Sequence, residues 1–136
     1  MTPLTIVLPL PPKECSPNWR GHWAKKRIAV HNARTLAWAH THQLLGHYVD
    51  TAPATATWAS SSTNPHAIPQ QHIRVSLTFI LPDNRRRDTD NLYASCKAYF
   101  DGISDALRID DSRFELRSIG RTVQPGVSEV RIEVNR

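Results

Sequence analysis

Residues 73–111 read IRVSLTFILPDNRRRDTDNLYASCKAYFDGISDALRIDD, and their reading decides the fold. Ile73, Val75, Leu77, Phe79 and Leu81 alternate with Arg74, Ser76 and Thr78, the two-residue period of a strand with one buried face. Pro82-Asp83-Asn84 stops that strand. Leu92, Cys96, Tyr99, Phe100, Ile103 and Leu107 then recur at three- and four-residue steps, the stripe of an amphipathic helix that Asp90 or Asn91 can cap. Ile109-Asp110-Asp111 follows as an acidic turn.

The loop between strand and helix carries three arginines, Arg85, Arg86 and Arg87, directly before Asp88 and Asp90. On an extended backbone, side chains two residues apart leave on the same side, with roots about 6 to 7 Å apart, so the two carboxylates could share a cation. Magnesium takes one or two carboxylates and keeps its other positions for water and phosphate, and arginines hold phosphate well. The competing reading is structural, because Asp-Thr-Asp-Asn is also how a helix N-terminus looks. Lys97 and Asp101, four residues apart, likewise fit a surface ion pair.

Working outward, Leu4 to Leu8 is a β-branched apolar run stopped by Pro9, Pro11 and Pro12, which predicts a first strand over residues 2–10. A polar loop then delivers Asn18, Trp19, Arg20, His22 and Trp23 together, a cluster that either stacks on bases or closes the core. Ala29, Ala33, Leu36, Ala37, His40, Leu44 and Tyr48 predict a helix from about Trp23 to a stop at Gly46. Lys25, Lys26 and Arg27 occupy its first turns, where the helix dipole disfavours cations; phosphate contact or a solvated face accounts for them. His40 and His42 diverge by about 200° on a helix and bracket no third metal ligand. Residues 49–72 are small and almost uncharged, which reads as a flexible loop insertion. At the other end, 116–123 and 127–134 read as a closing hairpin joined through Gln124-Pro125-Gly126. The expected architecture is therefore a single α+β domain spanning 1–136, in the order β-α-β-α-β-β, with a small mixed sheet and two helices.

Composition narrows the class. With 136 residues the chain can bury about two thirds of its unfolded surface, enough for a core without staples. Cys15 and Cys96 form neither a metal-ligand nor a redox spacing, which fits a reduced cytoplasmic protein. No run approaches a membrane span and the N-terminus lacks a signal-peptide pattern. The net charge is +5, but residues 1–87 hold ten Lys and Arg against three acids, while 88–136 hold seven against nine. A basic portion beside an acidic one suits a nucleic-acid enzyme with a metal site, and equally a plain basic domain.

In combination these pieces resemble the RusA-like Holliday junction resolvases, often carried by phages and prophages. The similarity runs from the leucine- and proline-rich start through Asn18 and His22-Trp23-Ala24, centres on Arg86 to Leu92, and continues through Lys97, Asp101-Gly102 and Asp105-Ala106 to Asp110-Asp111-Ser112. The resemblance implies a RusA-like fold and a homodimer that nicks branched DNA, a four-way junction, symmetrically. It also implies Asp88, Asp90 and Asp111 as acids holding Mg2+, for which Mn2+ substitutes, with Lys97 assisting catalysis. Phosphate contacts would come from Arg85, Arg86, Arg87, Asn18, Arg20, Lys25, Lys26 and Arg27. The glycine common in that family before the second acidic pair is here Leu107 and Arg108, and the usual glutamine after Ser112 is Arg113. A helix running to Leu107 would leave Asp111 too far to share a metal with Asp88, whereas one ending near Asp105 would leave enough chain, about 20 Å, to return it within one subunit; otherwise the partner subunit supplies it. A non-catalytic junction-binding protein and a structural phage protein are the alternatives.

Overall fold

A computed structural model describes residues 3–51 and 72–135, without the side chains of residues 47–51 and of Asp111. Strand β1 (Leu4–Pro9) leads through a short 3-10 turn (Lys13–Cys15) to helix α1 (Trp23–Thr51). Strand β2 (Ile73–Leu81) follows, then helices α2 (Thr89–Ser95) and α3 (Lys97–Leu107), a second 3-10 turn (Asp111–Arg113), and strands β3 (Phe114–Val123) and β4 (Glu129–Asn135). The result is a small α+β fold with a mixed four-stranded sheet and three helices. Most of the expected 49–72 loop lies outside the described residues.

The sheet order is β1-β4-β2-β3. β4 pairs antiparallel with both β1 and β2, whereas β3 pairs parallel with β2, Ile73 lying opposite Phe114 and Leu81 opposite Val123. The expected hairpin of the last two strands is therefore absent, since β2 stands between them. The turn itself forms where the sequence placed it: Val127 N–H donates to the Gln124 carbonyl, and Gly126 takes the positive φ of 80° that glycine tolerates. Such a turn reverses the chain without choosing its neighbour. Burial chooses it: β2 hides Ile73, Val75, Leu77, Phe79 and Leu81, while β3 has no fully buried residue and takes the edge.

One face of the sheet meets α1 and α3 around Ile6, Leu8, Leu77, Phe79, Val130, Ile132, Tyr99, Ile103 and Leu107, all at most 1% exposed. Tyr99 donates its hydroxyl to the Pro9 carbonyl at 2.7 Å, joining α3 to the end of β1. Burial pushes its ionisation above the usual range and lifts the Cys96 thiol to about 12.

Three helix boundaries differ from the sequence reading. Helix α1 passes through Gly46 and continues to Thr51, because a lone interior glycine costs only about 1 kcal/mol and nothing there demands a left-handed residue. The helix expected from Asp90 to Leu107 is divided at Cys96, whose N–H closes on the Tyr93 carbonyl instead of continuing the ladder. Ser95 Oγ donates at 2.7 Å to the Asn91 carbonyl, the back-bonding that bends helices. α3 ends at Leu107 and not near Asp105, and Arg108 caps it at φ 56° and ψ 42°. That left-handed conformation is the one glycine normally serves at the end of a helix.

Candidate active site

The loop leaving β2 is held by its own side chains. Asp83 Oδ1 accepts from the Arg85 N–H at 3.0 Å and from Arg87 Nη1 at 2.9 Å. These donors, the Arg85 amide first, keep the Asp83 carboxyl below the usual carboxylate range. Arg85 Nη2 lies 3.9 Å from the same carboxylate but remains 78% exposed, whereas the Arg87 side chain is 23% exposed. The three adjacent arginines thus differ: Arg87 is engaged as a brace, while Arg85 and Arg86 reach solvent.

Asp88 is the N-cap of α2, its Oδ1 accepting the Asp90 N–H at 2.9 Å. The cap lies two residues before Asp90 and three before Asn91, the positions expected, and the pair does not lie on an extended strand as the spacing suggested. Asp88 keeps a β backbone, with φ −76° and ψ 119°, but Asp90 is already helical. The two carboxylates still share a site: Arg86, Arg87, Asp88, Thr89 and Asp90 line one open hollow. Two hard oxygen donors on an open hollow beside arginines fit Mg2+, which takes one or two protein carboxylates and fills the rest with water and phosphate.

Lys97 begins α3 and pairs with Asp101 Oδ1 at 2.8 Å. It borders a second hollow with Lys26, Ser95 and Asp101, so the first turns of α1 meet the α2–α3 junction there. Lys26 donates to the Ser16 carbonyl at 3.3 Å, just after the 3-10 turn. Asn18, Arg20, Lys25 and Arg27 are exposed around it. Of the two nearby tryptophans, Trp23 stacks on His22 and is 68% exposed. Trp19 folds back over Gly21, where an added Cβ would come within 2.1 Å of its ring.

The second acidic turn repeats the geometry of the first: Asp110 Oδ1 accepts the Ser112 N–H at 3.0 Å. The side chain of Asp111 lies outside the described residues, and among those described no group of three or more His, Cys, Asp or Glu could hold a metal. By the parallel register this turn precedes the Ile73–Phe114 end of the β2–β3 pair, whereas the Asp88 turn follows the Leu81 end. A row of rings, Tyr93 to Phe100 at 5.9 Å and Phe100 to Phe114 at 6.3 Å, runs between the helices and β3.

Sequence reasoning missed Arg121. Its Nη1 donates to the Arg87 carbonyl at 2.7 Å and to Thr89 Oγ1 at 3.2 Å, bracketing Asp88. Only the parallel register exposes the connection, since Arg121 lies opposite Phe79. No helix among the described residues is long and apolar enough to cross a membrane.

No protein-family profile matches the chain. It is 33% identical over 127 residues to an uncharacterized protein of Xylella fastidiosa (strain Temecula1 / ATCC 700964), a match covering 88% of this chain and 72% of that protein.

Proposed function

This chain belongs to the same family as that Xylella fastidiosa protein, and from its own residues we propose that it is a magnesium-dependent, structure-specific DNA endonuclease of the RusA-like kind. Its substrate is a four-way junction, which it resolves as a homodimer in the cytoplasm by paired nicks. The observation that carries this reading is the hollow in which Asp88 and Asp90 stand together beside Arg86.

Asp88 and Asp90 would hold the metal, and Asp111, whose turn lies at the opposite end of the β2–β3 pair, would join them as the third acid from the partner subunit of the homodimer. When bound, Mg2+ supplies phosphate polarisation and a water of lowered pKa. The chain supplies orientation. Asp88 is fixed by the Asp90 N–H it accepts, so one carboxylate oxygen is already directed by the backbone. Arg85 and Arg86, exposed at the lip, bind the phosphates flanking the scissile bond. Lys97 borders the neighbouring hollow and not that of Asp88 and Asp90, so it would have to leave Asp101 and reach across to neutralise charge that develops on the departing or attacking oxygen. Asn18, Arg20, Lys25, Lys26 and Arg27 track the backbone of the adjoining arm.

The test is incubation of the purified protein with a labelled synthetic four-way junction in Mg2+, in Mn2+ and in EDTA. Symmetrical nicks in either metal, abolished by EDTA, support the reading. Junction binding without any metal-dependent cut would make it a branched-DNA-binding protein, and binding that vanishes at moderate salt on every DNA shape would leave a structural role.

A further inference from the structure

We infer that Arg121 is a positioning residue that sets the geometry of the Asp88–Asp90 turn; the catalytic meaning of this rests on the nuclease reading, but the positioning does not. Helix α2 has seven residues and fully buries none of them; Leu92 packs partly against the core and Tyr93 against Phe100, both beyond the first residues of the helix, so the Asp88 end relies on hydrogen bonds for its placement. Within the turn, Asp88 caps Asp90 and Asp83 holds Arg87, yet both bonds are local and would move with the loop as a body.

Arg121 is the tether to the sheet. β2 and β3 run parallel with Leu77 opposite Ile119, Phe79 opposite Arg121 and Leu81 opposite Val123. Leu77, Phe79 and Leu81 are buried on the helix-covered face, and residues in register point the same way, so Arg121 leaves β3 toward the helices. There one guanidinium nitrogen reaches the carbonyl before Asp88 and the hydroxyl after it. Both neighbours of the capping aspartate are thereby tied to β3, the edge strand that pairs with the buried β2. Gly120 beside it brings no side chain of its own, and an added Cβ there would meet nothing closer than 3.8 Å.

The experiment uses the full chain carrying Arg121→Ala, Arg121→Lys or Thr89→Ala. Amide hydrogen exchange over residues 86–92 is the primary readout and needs no metal or DNA. Arg121→Ala should speed exchange there by about tenfold or more, the loss of two bonds to a charged donor. Thr89→Ala, losing one, should give a smaller rise, and Arg121→Lys should recover part of the protection. Mn2+ titrated alone should bind Arg121→Ala about tenfold more weakly. In junction cleavage, kcat should fall with KM nearly unchanged, and the salt dependence of junction binding should keep its slope. Unchanged exchange in both Arg121→Ala and Thr89→Ala would overturn the proposal. A flattened salt slope would also overturn it, by making Arg121 a phosphate contact. If the wild-type protein cuts no junction, the nuclease reading fails while the exchange result still decides the positioning.

Discussion

The seam between α1 and α3 and the turn from Asp83 to Asp90 are held by opposite means. In the seam the backbones nearly touch: a Cβ on Gly102 would come within 2.2 Å of the Arg34 carbonyl and 2.9 Å of Ala37 Cβ. Ala33, Ala37 and Ala98 line the same contact, each at most 5% exposed. Its polar contribution is peripheral, a bidentate pair of Arg34 with Asp105 at 2.7 and 3.0 Å. The turn leads into α2, which fully buries no residue, and is itself built from carboxylates, amides and guanidinium groups. Close-packed surfaces tolerate no added atom, whereas a hydrogen-bonded turn tolerates isosteric exchange of charge for neutral amide. The two regions should therefore separate folding from function.

Substituting the seam gives the largest effect. Gly102→Val should destabilise by about 3 kcal/mol or more, since backbone and not a flexible side chain stands in the way, and thermal unfolding reads it. If the variant melts within a few degrees of wild type, the helices are not in contact as described. At the turn, Arg86→Ala should lower the slope of log affinity for branched DNA against log salt by about 0.9. Arg87→Ala should change that slope less, because its head is turned to Asp83; equal slopes would place both on phosphate. Arg108→Gly should stabilise by about 1 kcal/mol, relieving a left-handed arginine, and a neutral or negative change in melting would remove the strain assigned there.

The smallest effect concerns the rim of the seam. The Arg34 guanidinium keeps the Asp105 carboxyl below its usual range, so the pair's contribution is present above the unfolded carboxylate pKa and is lost as pH falls through the folded one. Asp105→Asn should cost about 1 kcal/mol or less at neutral pH, and the gap from wild type should close on acidification below about 4. A gap that persists in acid would mean packing and not charge.

Strand β2 and both helical stripes were legible because burial writes a period into the chain, and Asp-Thr-Asp-Asn announced a helix start. What the sequence left open was non-local. Gln124-Pro125-Gly126 specifies a turn but not that β2 comes between the strands it joins. The division at Cys96 depends on a hydroxyl at Ser95 choosing the Asn91 carbonyl, which no periodicity records. Arg121 is one arginine among several on an edge strand, and its meaning appears only when Phe79 is found opposite. The carboxylate pair was readable as a motif, while its geometry, one residue capping and the next helical, was not.

The most direct measurement is Asp88→Asn assayed in parallel for melting, junction binding and cleavage. Asparagine caps a helix as well as aspartate does, so the turn should stay formed and the melting temperature near wild type. Binding should hold or tighten as a negative charge near phosphate is lost. Metal-dependent cleavage should fall by about a thousandfold, several kcal/mol of transition-state stabilisation. Cleavage retained at the wild-type rate, with the fold and the binding intact, would contradict the assignment of this turn as the active site.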